Sequence, residues 1–216
     1  MLDNYKELYP INCEDAWESS IKSADSQDTK FKMLDDVYYF SNDWVSNSLE
    51  YWSSSIPTEN TNMNILFIGV YEGRLNVFLH NHIFNNKCTY YCIDNFGYFE
   101  NQYYERNNID LRYNCIAVKE RFIHNTRKFK DNVHLIEGNF NLSTVPKGII
   151  FDMILLDSNP YTLLQDVINC ISFIRTGCIL YITYEINISE MSKLKKILPN
   201  SCKLSAHFYK DKSTFD

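Results

Sequence analysis

Glycine and proline are both scarce in this 216-residue chain, at 6 and 5 residues. That scarcity argues against a turn-dense all-β sandwich and against a low-complexity linker. Alanine is rarer still, and Arg is outnumbered by Lys, while Asn and Ile are abundant. This is the bias of AT-rich coding sequence, so an Asn at a motif position is weak evidence by itself. A basic stripe is also missing. The net charge is −6, and the densest basic run, Arg121 to Lys130, is interleaved with apolar residues at helical spacing. It is expected to be a solvated helix face, and nucleic acid is not an expected partner. No C-x-x-C pair occurs among the seven cysteines. The closest two, Cys88 and Cys92, lie in a strand-like run and are expected to act as small buried hydrophobes. No apolar run reaches the length of a membrane span. The opening MLDNYKELYP has no basic region followed by an apolar stretch, so no signal peptide is expected. The expectation is a reduced, cytoplasmic protein with no membrane association.

What the chain does have is apolar and aromatic bulk: 45% hydrophobic residues, with 16 Tyr and 14 Phe. That suffices for one self-sufficient core. Residues 1–60 read as a polar, helical N-terminal cap segment containing Trp17, Trp44 and Trp52. From about residue 61 to 216 the pattern changes to short, continuous apolar runs, the mark of strands buried on both faces. These are Asn64–Gly69, Thr89–Ile93, Val133–Ile136, Ile149–Leu156 and Cys178–Ile182, with a last strand over Leu204–Tyr209. Between them fall helical stripes: Leu75, Phe78, Leu79 and His82; Val118, Phe122, Ile123, Thr126 and Phe129; Leu163, Val167, Cys170, Ile171 and Ile174, stopped by Gly177; and residues 189–198. Residues 97–114 form a Tyr- and Asn-rich excursion without a period. The alternation predicts an α/β, doubly wound, mostly parallel sheet, with its ligand beyond the carboxyl ends of the strands.

The strand ends carry the candidate chemistry. Gly69-Val70-Tyr71-Glu72-Gly73 turns the first strand into a helix. It matches neither phosphate-binding glycine pattern, and Glu72 suits a cationic or zwitterionic ligand better than a pyrophosphate. Asp94 closes the second strand, where an acid accepts hydrogen bonds from ribose hydroxyls. Gly138, Asn139 and Phe140 close the third, where Asn can pair with an adenine edge and Phe can stack on it. Asp157 closes the fourth, placed either to cap the following helix or to face a reacting group.

In order and spacing, NILFIGVYEGRLNVFL (64–79), YYCIDNF (90–96), ERFIHNTRKF (120–129), VHLIEGNF (133–140), FDMILLDSNP (151–160) and IRTGCILYITYE (174–185) resemble the successive motifs of class I S-adenosylmethionine-dependent methyltransferases. They look most like the small-molecule O-methyltransferases that include antibiotic-sugar enzymes. The resemblance, over roughly residues 40–210, implies a Rossmann-like methyltransferase fold with S-adenosyl-L-methionine as cofactor. It places the methionine end on Gly69, Val70, Tyr71, Glu72 and Gly73, the ribose on Asp94, and the adenine beside Gly138, Asn139 and Phe140, with Asp157 also lining the cofactor.

The departures are specific. Phe67 stands where the family has an acid, and Leu75 where it has a small hydroxyl residue. Thr183 and Tyr184 stand at the positions of the paired aspartates that help hold a divalent metal. Asp157 with a displaced Glu185 is a thin set for a hard cation, so no metal is expected. The implied reaction is methylation of a hydroxyl on a small molecule, such as a saccharide. Asp157 is the first candidate for base, followed by Glu185 and Tyr184. His134, within a strand, is expected to be packed, and His124 to be exposed. The aromatic N-terminal segment and the 97–114 excursion are placed to form a lid. Two alternatives stay open: a catalytically degenerate member of the fold acting as a binding or interaction module, and a nucleotide-binding oxidoreductase. Assembly into a homodimer is also left open.

Overall fold

A computed structural model describes residues 5–10, 37–40, 43, 45–46, 56, 62–84, 87–96, 111–157, 160–183, 188–200 and 202–206. Trp17, Trp44, Trp52, Tyr184, Glu185, residues 97–110 and the end of the expected last strand lie outside them. Six strands form one wholly parallel sheet: β1 (Asn64–Ile68), β2 (Thr89–Asp94), β3 (Val133–Glu137), β4 (Phe151–Leu156), β5 (Ile174–Ile182) and β6 (Lys203–Ala206). Their order is β3-β2-β1-β4-β5-β6. Connections out of β1 run one way and those out of β4 the other, so the switch point lies between these two central strands. A short α1 (Tyr5–Leu8) precedes the sheet. Then come α2 (Arg74–Phe78, extended by a π turn over Leu79–Ile83), α3 (Leu111–Thr126), α4 (Leu163–Cys170) and α5 (Ile188–Ile197). Among the described residues, no helix is long and apolar enough to cross a membrane.

Strand alternation sorts the core into two layers. Ile65, Phe67, Tyr90, Cys92, Met153, Leu155 and Tyr181 face α2, α3 and the N-terminal residues Tyr5, Tyr9 and Phe40. Leu66, Ile68, Ile93, Ile154, Leu156, Leu180 and Ile182 face α4 and α5. Each such side chain contributes about 1.5–3 kcal/mol by leaving water, which is why the continuous runs pair as central strands. Cys88 and Cys92 are buried as expected.

The structure corrects the sequence reading at several points. Helix α3 takes in residues 111–114 of the supposed excursion. Helix α4 stops at Cys170, and after one 3-10 turn Ile174 and Gly177 belong to β5, not to the helix. Gly177 has φ +83° and sits where the β4–β5 register jumps from Phe151↔Ile174 to Met153↔Ile179, a bulge that a glycine accommodates. Ile123 is exposed. His134 is exposed too, because β3 is an edge strand, and its ring stacks on Tyr91 at 4.8 Å. His124 is half-buried, with Nε2 2.9 Å from the Val37 carbonyl oxygen.

The N-terminal residues are held by polar groups as well as by rings. The Arg74 guanidinium lies 4.8 Å from the Phe40 ring centre. It donates to the Tyr5 hydroxyl and the Tyr9 carbonyl, and Nε is 3.4 Å from Asp43. Asn125, fully buried, accepts the Tyr39 N–H and donates to the Tyr39 and Glu72 carbonyls, tying this segment to α3 and to the turn after β1.

Histidines on the π turn that extends α2, His80 buried and His82 half-buried, tie stability to pH. His80 stacks on Phe129 at 3.9 Å and meets the Tyr90 hydroxyl; burial pulls its pKa from 6.5 down to about 4. His82, next to the Tyr9 hydroxyl at 2.8 Å, is lowered for the same reason. The unfolded chain therefore binds more protons than the folded one between pH 6.5 and about 4, and stability falls as pH drops through that window. Urea unfolding at stepped pH is expected to show the loss, and His80→Phe to flatten it; an unchanged slope in the variant refutes the assignment.

Candidate functional site

The hydrogen-bond ladder continues past the carboxyl ends of the strands and aligns the expected site residues in one row. Gly138 N–H donates to the Asp94 carbonyl (2.9 Å), Gly69 N–H to Ile93 (2.9 Å), Asp157 N–H to Ile68 (2.8 Å) and Thr183 N–H to Leu156 (3.1 Å). Asp94 at the end of β2 and the residues that follow β1, β3, β4 and β5 are thus brought side by side, at the switch point and its flanks.

Asp94 organises the turn after β1. Its Oδ2 accepts the backbone N–H groups of Val70 (2.7 Å) and Tyr71 (2.9 Å), and its Oδ1 accepts that of Phe96 (2.7 Å). Tyr71 and Phe96 both have positive φ, 48° and 53°. Such conformations are uncommon outside glycine and persist where surrounding contacts impose them; here the carboxylate binds the N–H of each. A carboxylate has about four lone-pair sites, so with three bonds made, acceptor capacity for a ligand hydroxyl is left on Oδ1.

Gly73 fits closely against α3. Its φ is +76°, and a Cβ there would meet Phe122 Cδ2 at 2.9 Å. The reading of Glu72 as the group facing a cationic ligand is corrected. Glu72 is 1% exposed, with Oε1 2.9 Å from Nε of Arg121. Arg121 is itself buried on α3, which also corrects its assignment to a solvated basic face. Burying either charge alone would be costly, so the two are buried as a pair.

Asp157 is exposed to solvent at the end of β4, yet protein crowds it on enough sides to push its carboxyl above the usual aspartate range. The Thr183 hydroxyl donates to Oδ1 and works against that shift, while the negative charge of Asp94 adds to it. A carboxylate in that position, with raised basicity, can take a proton from a hydroxyl. On the β3 side, Asn139 accepts a hydrogen bond from Asn95 Nδ2 at 2.6 Å, and Phe140 is half-buried against the second core layer.

Arg121, Asn125 and Thr183 were not legible as a set. Arg121 and Asn125 act on the turn through tertiary contacts across about fifty residues of chain. Thr183 had a usable signal: it follows β5, beside Asp157 after β4, and a hydroxyl there is within reach of a carboxylate.

No family model matches the sequence, and no curated protein matches it. Among solved structures, the chain is similar to a proposed methyltransferase from Thermoplasma acidophilum, at 15% identity and TM-score 0.42, over 66% of this chain and 52% of that one. It is similar also to a precorrin 8w decarboxylase from Methanobacterium thermoautotrophicum, at 14% identity and TM-score 0.45, over 69% and 66%. A third is a proposed rRNA methylase from Clostridium thermocellum, at 15% identity and TM-score 0.47, over 71% and 81%. The match spans about half the length of the first of these.

Proposed function

We propose that this protein is an S-adenosyl-L-methionine-dependent methyltransferase acting on a hydroxyl of a small molecule, a saccharide being one candidate, without a metal. The observation that carries the reading is the use of the turn after β1. A pyrophosphate would need the N–H groups of that turn as donors. Those of Val70 and Tyr71 are instead spent on the Asp94 carboxylate. With Asp94 and Asp157 flanking the turn, a ligand bringing positive charge and hydroxyl groups is favoured over a dinucleotide.

The residues present fit such a cofactor. Asp94 retains acceptor capacity for the ribose, Gly69 to Gly73 offer close backbone approach to the methionine end, and Asn139 and Phe140 flank the adenine. When bound, the cofactor supplies an electrophilic methyl group. Asp157 orients the acceptor hydroxyl and takes its proton, with Thr183 fixing the carboxylate. Tyr184 and Glu185 remain secondary candidates as base, and a cytoplasmic location suits the reading. A degenerate binding module is the second reading, supported by Phe67, buried at the position of the family's acid.

Calorimetry with S-adenosylmethionine and its demethylated product tests the cofactor; binding of a nicotinamide dinucleotide in their place would overturn the assignment. Turnover that survives EDTA supports the metal-free chemistry, and turnover lost with the metal refutes it. Cofactor binding without transfer to any hydroxyl acceptor would favour the binding module. Asp157→Asn is expected to lower kcat about 10²–10⁴-fold, the usual contribution of a general base, while changing cofactor affinity far less. The base works ionised, so kcat/KM should fall on the acid side along a limb displaced above the ordinary aspartate range. Thr183→Val removes a bond that favours the charged form and should move that limb to higher pH; a limb unmoved by the substitution removes Asp157 from the role.

A further inference from the structure

Two cysteines at the far end of the sheet from this site form a unit that methyl transfer does not use. The β5–β6 register pairs Ile179 with Lys203 and Leu180 with Leu204, so Cys178 and Cys202 stand opposite each other one position earlier. Alternation puts both on the face covered by α4 and α5, where Cys178, Cys202 and Leu204 belong to one packed cluster. Neighbouring parallel strands run about 4.8 Å apart, inside the Cα separation of about 4.4–6.8 Å that a disulfide spans. That spacing is compatible with a bridge. Cys178 is fully buried, whereas Cys202 is half-buried just before the edge strand β6, its N–H held by the Pro199 carbonyl at 2.9 Å.

The two thiols are unequal. Interaction between the two pushes the Cys178 thiol up and that of Cys202 down; burial works against the lowering of Cys202 and the Leu180 backbone adds to it, while the thiols donate to the Ile179 and Lys203 carbonyls at 3.8 and 3.9 Å. At Cys88, Cys92 and Cys170 burial is the leading cause and raises the thiols. Reactivity follows thiolate character and access, and Cys202 combines the two.

We propose that Cys202 and Cys178 are a peroxide-responsive pair, Cys202 the attacking and Cys178 the resolving thiol, closing a reversible disulfide between β5 and β6. The Cys202 thiolate attacks one oxygen of hydrogen peroxide; the O–O bond breaks, a sulfenic acid forms on Cys202, and hydroxide leaves and is protonated to water. The Cys178 sulfur then attacks the sulfenic sulfur, the S–O bond breaks, and a second water leaves with the thiol proton. Two thiols are oxidised by two electrons and one peroxide is reduced to two waters.

The test treats the full chain with a few equivalents of hydrogen peroxide, then alkylates and digests it with trypsin. Cleavage after Arg175, Lys193, Lys196 and Lys203 puts Cys178 and Cys202 on separate peptides, each with no other cysteine. The expected result is one linked peptide pair, the loss of two free thiols, and full reversal by dithiothreitol. Cys178→Ala should leave a sulfenic acid on Cys202 that dimedone captures, Cys202→Ser should abolish the linked peptide, and Cys170→Ala should leave it intact. A link through another cysteine, or oxidation of Cys202 no faster than that of Cys88, overturns the proposal. Should Cys178→Ala fail to fold, the wild-type linkage and its loss in Cys202→Ser decide the matter.

Discussion

Replacing Asp94 with Ala is expected to loosen the turn after β1 and abolish detectable cofactor binding together. The carboxylate accepts three backbone N–H groups drawn from two separate segments. Hydrogen bonds to a charged group are worth about 1.5–3 kcal/mol each. Solvent re-pairs part of that loss at this half-buried position, so a destabilisation of about 3 kcal/mol is expected. It should show as a lower urea midpoint at unchanged slope. Tyr71 and Phe96, held at positive φ, lose the acceptor that binds their N–H groups, and the turn after β1 loses its shape. Asp94→Asn should fall between, since its amide oxygen accepts part of the set while its NH₂ opposes the rest. Wild-type stability and wild-type S-adenosylmethionine affinity in Asp94→Ala would remove both the bracing and the ribose roles.

The second large effect is expected at the Glu72–Arg121 pair. Both side chains are buried and 2.9 Å apart, so Arg121→Met leaves a carboxylate in the interior without its cation. Breaking a buried pair from one side costs about 3–5 kcal/mol. Glu72→Met strands the guanidinium and should cost a comparable amount. The double substitution replaces the pair by apolar groups and should recover most of the loss, giving a large coupling in a double-mutant cycle. Single variants that each cost under about 1 kcal/mol would mean that water reaches the pair. Because Glu72 lies between Tyr71 and Gly73, the single variants are also expected to weaken cofactor binding, and the double variant to restore part of it.

The ends of the central strands were readable in advance for a simple reason. A strand buried on both faces is mostly apolar, so the polar or glycine residue that closes an apolar run marks its end. That rule located Gly69, Asp94 and Asp157 without knowledge of the pairing. It was less informative at the margins. β3 has one neighbouring strand, and the exposure of His134 follows from that edge position, which no local pattern encodes. The segment from Leu163 to Ile174 has apolar residues at helical spacing throughout. The chain nevertheless leaves the helix at Cys170, because Ile174 gains a partner in Phe151 and Gly177 allows the bulge that resets the register.

The sequence by itself determined the alternation of helices and strands, the parallel doubly wound sheet, and the strand ends that carry the candidate site residues, since periodicity and burial act locally along the chain. Only the tertiary structure decided what those residues do. It turned Glu72 inward to Arg121, set Asp94 to holding Val70, Tyr71 and Phe96, joined Thr183 to Asp157, and laid Cys202 beside Cys178. Each of these partnerships links segments far apart in sequence. Their energies come from charge burial and directional hydrogen bonds, which depend on distances that the fold sets.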